Sequence, residues 1–100
     1  MKSMNGLPHK VLKVELEQII FTDKDGTEYD FDRYNVDVRS PMATHEYSVV
    51  VNHRTGTLSG DCVRYGSWDD LIEEEVMDIL ELVEAEGKIV RPYDGYVFQE

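Results

Sequence analysis

Apolar and polar residues alternate along much of the first two thirds of the chain. Leu12, Val14 and Leu16 alternate with Lys13, Glu15 and Glu17. That period of two marks a half-buried strand, here running through Phe21. Asp23-Lys24-Asp25-Gly26 follows as a turn signal, and Tyr29 and Phe31 open the return strand. The apolar phase then shifts to Tyr34, Val36 and Val38, which predicts a bulge near Asp32-Arg33. Ser40-Pro41 breaks the pattern. Tyr47, Val49 and Val51 predict a third strand. Arg54-Thr55-Gly56-Thr57 turns it into a fourth, through Leu58, Cys62 or Val63, and Tyr65. Near the end, Ile89-Val90 and Tyr96-Val97-Phe98 flank Pro92-Tyr93-Asp94-Gly95 as one more hairpin.

Between these stretches the period changes. Trp68, Leu71, Ile72, Val76, Ile79, Leu80 and Val83 fall at i, i+3, i+4 spacing, the signature of one buried helical stripe. The spacing predicts a helix over 67–86, about 28 Å long. Ser67 is the expected N-cap, with Asp70 three residues on, and Gly87 the expected left-handed C′ residue. The combined expectation is a single α+β domain over residues 1–100, with 1–9 as a flexible N-terminal segment. Its architecture is an antiparallel sheet of about four to six strands, including two hairpins, with one long amphipathic acidic helix packed on one face. A chain of this mass buries about 65% of its extended surface, enough for one core.

Composition narrows the classes. Hydrophobic residues make up 41% of the chain, too many for a disordered polyelectrolyte. The longest apolar runs are three residues, so no span of a membrane is expected. The N-terminus lacks the apolar stretch of a signal peptide. One cysteine fits a reducing cytoplasm. A sequence pI of about 4.5 argues against direct binding to nucleic acid or anionic lipid, which need a cationic footprint.

The net charge of −11 is concentrated. Residues 1–66 carry −2, residues 67–86 carry −9 with no base among them, and residues 87–100 carry 0. The acids of the middle segment are Asp69, Asp70, Glu73, Glu74, Glu75, Asp78, Glu81, Glu84 and Glu86. On one helix they make seven like-charge pairs at i, i+3 or i, i+4, costing about 1.5–3.5 kcal/mol together. Their spacing, about 3 Å along the axis, is close to the phosphate spacing of one DNA strand, 3.4 Å or so. Two readings stand side by side: a solvated face that keeps the protein soluble, or a face that meets a cationic partner. The second suits an inhibitor that occupies a nucleic-acid-binding surface, or an immunity protein covering a basic toxin. In general look the chain resembles the small acidic α+β proteins of phages and mobile elements, a likeness no motif carries.

Other candidate chemistry reads as ordinary structure. Asp23–Thr27 has a calcium-loop flavour, but an EF-hand frame would put Phe21 at position one and Asp32 at position twelve, where oxygen ligands and a Glu belong. It reads as a hairpin turn. Cys62 reads as a small core residue: folding about Thr55-Gly56 places it opposite Val49, away from both His45 and His53. His9, His45 and His53 show no metal spacing. There is no glycine-rich phosphate loop and no Gly-x-Ser-x-Gly elbow. The expectation is a non-enzymatic protein without metal or cofactor. Its partner is a protein with a basic surface, with pairing of two copies left open. The residues expected at that contact are Trp68, Asp69, Asp70, Glu73, Glu74, Glu75, Asp78, Glu81, Glu84, Tyr93 and Tyr96. The alternative is an accessory subunit that assembles through its sheet edge and C-terminal aromatics.

Overall fold

A computed structural model describes residues 10–39, 44–64 and 66–99. Five strands follow one another in space as in sequence, each antiparallel to the last: β1 (Lys10–Thr22), β2 (Glu28–Arg39), β3 (Thr44–Asn52), β4 (Thr57–Arg64) and β5 (Ser67–Asp70). A single helix, α1 (Glu73–Ala85), follows, and a two-residue strand, β6 (Val97–Phe98), closes the chain. β6 lies parallel to β4, with Val97 beside Thr57 and Phe98 beside Leu58. The α+β expectation holds, with an antiparallel sheet apart from this last pairing.

The alternation decides what is buried. Tyr34, Val36 and Val38 of β2, Tyr47, Val49 and Val51 of β3, and Leu58 and Cys62 of β4 share one face of the sheet. Val76, Ile79, Leu80, Leu82 and Val83 of α1 close over it. From β1, Val11, Val14 and Leu16 pack against this core while remaining partly accessible.

The bulge expected near Asp32-Arg33 is absent. β2 runs in unbroken register there, and the only shift in its pairing with β1 lies between Val11 and Lys13. Asp32 keeps the core phase of Tyr34, Val36 and Val38 and is fully buried. Tyr29 and Phe31 belong to the opposite, open face, opposite Phe21 and Ile19 of β1. A buried carboxylate and an apolar patch on the open face together imitate a phase change. The β3–β4 register also differs by two residues from expectation, so Cys62 lies opposite Tyr47 rather than Val49. Parity is kept, and Cys62 is buried as expected.

The largest correction concerns the helix. It has 13 residues rather than the 19 expected after an N-cap at Ser67, and Ser67 is not its N-cap. Ser67 to Asp70 form β5, pairing with Asp61 to Arg64, and Leu71 donates its N–H to the Gly60 carbonyl at 2.8 Å. Trp68 and Ile72, counted as part of the helical stripe, are 57% and 60% exposed, so only Leu71 of that group contributes to the core. Ile72 holds the N-cap position with an extended backbone, and the Glu75 carboxylate accepts its N–H at 3.4 Å, a weak half of a capping box. The helix ends as expected. Gly87 has φ 71°, its N–H bonds the Glu84 carbonyl, and the Lys88 N–H bonds the Val83 carbonyl, a Schellman arrangement. Gly60 matters for a different reason. A Cβ there would sit 3.0 Å from Leu71 Cδ1, 3.1 Å from the Ser48 carbonyl oxygen and 3.2 Å from Val76 Cγ2. Its bare backbone lets the start of the helix settle on β4.

The hairpin expected from Ile89 to Phe98 does not form. Residues 88–96 run as an irregular strap across the core face, with Ile89, Tyr93, Tyr96 and Phe98 packed against the core. The segment 1–9 and Tyr65 lie outside the described residues.

Candidate functional site

The shorter helix divides the acidic residues between two elements. Asp69 and Asp70 lie on β5, and Glu73, Glu74, Glu75, Asp78, Glu81 and Glu84 lie on α1. Four of the seven like-charge pairs remain helical: 74/78, 75/78, 78/81 and 81/84. Their summed cost is about 0.8–2 kcal/mol. At 100° per residue, Glu73, Glu74, Asp78, Glu81 and Glu84 project away from the buried stripe, with Met77 among them, 41% exposed. Among the described residues none of these five carboxylates forms an ion pair. Glu75 turns back to the helix start instead. The first-turn acids face the positive end of the helix dipole, while no base occupies the last turn.

The acidity continues onto the sheet. Asp61 and Asp70 are directly opposite in the β4–β5 ladder. Partial burial, together with the hydrogen bond and negative charge of Asp70, raises the Asp61 pKa above the ordinary carboxylate value, and Arg33 offsets this only in part. Asp61 and Asp70 line an open groove together with Leu71, Ile72 and Phe98. Trp68 stands exposed on the same strand, opposite Val63.

The C-terminal aromatics are placed differently. Tyr93 is half-buried against the core, and burial, then the charges of Glu84 and Asp94, raise its pKa. Tyr96 stacks edge-on against His53 with ring centroids 5.5 Å apart, and its hydroxyl lies 2.9 Å from His53 Nδ1. These rings fasten the strap to the sheet.

That contact belongs to a cluster the sequence reading missed. The buried Asp32 carboxylate accepts Arg91 Nη2 at 2.7 Å on one oxygen and Arg91 Nε at 3.1 Å on the other. His53 Nε2 lies 2.8 Å from Oδ2, and Gln18 Nε2 3.3 Å from Oδ1. Arg91 Nη1 also reaches Asp30 Oδ1 at 2.7 Å. Burial opposes ionisation of Asp32, but the hydrogen bonds from Arg91 and His53 outweigh it and hold its pKa below the usual carboxylate range. With Asp32 accepting, His53 donates from Nε2, and its Nδ1 and the Tyr96 hydroxyl share the second hydrogen bond. The order Tyr–His–Asp resembles a proton relay. Here both Asp32 oxygens are already engaged by donors, and the cluster ties β1, β2, the β3–β4 turn and the strap together. The one signal in the sequence was an acid, Asp32, in the core phase of β2.

Comparison with known proteins finds no matching family, no matching curated protein and no matching solved structure.

Proposed function

We propose that this protein is a non-enzymatic interaction module whose acidic face covers a basic surface of a partner protein, acting as an inhibitor or antagonist of it. One observation carries the reading: five carboxylates, Glu73, Glu74, Asp78, Glu81 and Glu84, project from one side of α1 with no basic partner among the described residues. Asp61, Asp69 and Asp70 extend the negative field along β4 and β5. A purely structural helix gains by interspersing lysines on its outer side, at a few tenths of a kcal/mol per pair. This one keeps like charges in contact instead. A field of one sign speeds encounter with a cationic surface and penalises other partners. A nucleic-acid-binding protein is the partner class whose surface best matches such a field.

The test is reversal of Glu74, Asp78 and Glu81 to Lys in one variant. Proteins captured by the wild type from its host at low salt are purified and titrated directly. The expected outcome is that the folded triple variant binds them far more weakly and that added salt weakens wild-type binding steeply. Equal affinity of the folded variant, or wild-type binding indifferent to salt, overturns the reading.

A further inference from the structure

We propose that the outer edge of β1 pairs antiparallel with the same edge of a second copy of this chain, about a two-fold axis at Gln18. β1 is the terminal strand of the sheet, and among the described residues nothing pairs with its outer edge. The turn sets which backbone groups are free. Asp23 donates its N–H to the Thr27 carbonyl at 2.9 Å, so that pair is hydrogen-bonded. Alternation along the ladder then turns the groups of Phe21, Ile19 and Glu17 toward β2, and those of Thr22, Ile20, Gln18, Leu16 and Val14 outward.

Edges of this kind are normally guarded by lysines and bulges. Both guards lie in the first turn-distal residues: Lys10, Lys13 and the irregularity between Val11 and Lys13. Beyond Lys13 the strand is regular, and toward the turn it is apolar on both faces. Ile20 is 63% exposed on the core side. Phe21 is exposed on the other side, stacked on Tyr29 with centroids 4.6 Å apart.

The choice of a second copy rests on the register. Outward groups meet outward groups only when the axis passes through a residue of β1. An axis at Glu15 or Glu17 sets that acid against itself. An axis at Leu16 sets Glu15 against Glu17. Axes at Ile19 and Ile20 set Glu15 or Glu17 against Asp23, and an axis at Val14 runs into the bulge. At Gln18 none of these conflicts arises. Lys13, which pairs with Glu15 at 2.8 Å in its own chain, then also faces Asp23 of the second copy, twice by symmetry, Leu16 faces Ile20, Val14 faces Thr22, Glu17 faces Ile19 and Glu15 faces Phe21. Opposite charges and apolar pairs at such positions each favour pairing. The isologous contact closes on itself, joining two sheets into one and leaving the acidic helices free. It does not rest on the acidic-face reading.

The two contacts respond oppositely to salt. Each copy carries −11, so screening should strengthen self-association while it weakens binding to a cationic partner. The test is light scattering with size-exclusion chromatography on the full chain, over concentration and salt. Wild type should dimerise, more tightly at high salt. Ile20→Lys and Lys13→Glu should each weaken the dimer about tenfold or more, while Val90→Lys, an exposed apolar site elsewhere, should leave it unchanged. Amide exchange reads the ladder directly: the N–H groups of Gln18, Ile20 and Thr22 should be protected in the dimer and exposed in the Ile20→Lys protein. A wild type that stays monomeric at millimolar concentration and high salt overturns the proposal. So does a dimer that survives Ile20→Lys, one that Val90→Lys abolishes, or one that leaves those three amides unprotected.

Discussion

Asp32 and Asp61 are two carboxylates on one sheet whose surroundings push them in opposite directions. Asp32 is buried but surrounded by donors, so its folded pKa lies below the unfolded value of about 3.9. A group of this kind stabilises the fold above the unfolded pKa, and the contribution is lost as pH falls toward the folded one. Asp61 has a raised pKa, so its ionisation costs stability at neutral pH, and that cost is relieved as pH falls through its folded pKa. Two predictions follow from the signs. Asp32→Ala leaves Arg91 and His53 without their shared acceptor. It should cost about 2–4 kcal/mol in urea denaturation at pH 7, the lower part of the range because Asp30 still holds Arg91. The difference from wild type should shrink on acidification below about pH 4. Asp61→Asn should gain only a few tenths of a kcal/mol at pH 7, since the site is solvent-exposed and screened. That gain should vanish under the same acidification. A constant difference across pH in either variant would contradict the assigned environments.

Elements here are set by which backbone partners are within reach. Residues 67–70 carry helix-like apolar spacing, yet they pair with β4, Ser67 lying beside Arg64 and Asp70 beside Asp61. Ladder hydrogen bonds and a β-favouring Trp68 outweigh a marginal extra turn of helix loaded with acids. The helix that remains is poorly matched to its own dipole at the C-terminus, where Glu81 and Glu84 stand without a base. Glu84→Lys should remove the 81/84 repulsion and complement the dipole, raising stability by about 0.5–1.5 kcal/mol in thermal or urea unfolding. A neutral result would mean that a neighbouring charge already compensates Glu84. Gly60→Ala should act in the opposite sense. With 3.0–3.2 Å contacts on three sides, it should cost about 1–3 kcal/mol, more than the usual gain from removing a strand glycine. The β1–β2 and β3–β4 hairpins, the core residues of β2 to β4 and the Gly87 terminus were legible in the sequence because each follows a local period or a single-residue rule. The strap 88–96 was not. Its position is fixed by Arg91 meeting Asp30 and Asp32 some sixty residues earlier, and no local pattern encodes such a pairing.

For the molecule as a whole, charge and burial are segregated. The core lies between α1 and the middle strands, the acids of the 67–86 segment lie outside α1 and on β5, and β1 ends the sheet on the side away from β5. The sequence located the acidic segment but not its geometry, since nine acids counted along one helix are split between a strand, a turn and a shorter helix. It gave no hint of the Asp32 cluster as a unit, because Gln18, Asp32, His53, Arg91 and Tyr96 share no spacing. That cluster makes the C-terminal strap part of the fold, and this changes what truncation means. Removing residues 93–100 deletes Tyr96 from His53 and Tyr93 and Phe98 from the core, and strips β6 from β4. Such a truncation should lower thermal stability by many degrees, since it strips three partly buried aromatic rings from the core at once. Loss of partner binding in it would therefore report unfolding rather than a lost contact. Point changes on the exposed surface avoid this ambiguity. Trp68→Ala removes a ring that is 57% exposed, so its thermal midpoint should move little. If Trp68 lies at the partner contact beside Asp70, the same variant should lose binding by a factor of ten or so, as interface tryptophans commonly do. Unchanged affinity with an unchanged midpoint would confine the contact to the helix acids.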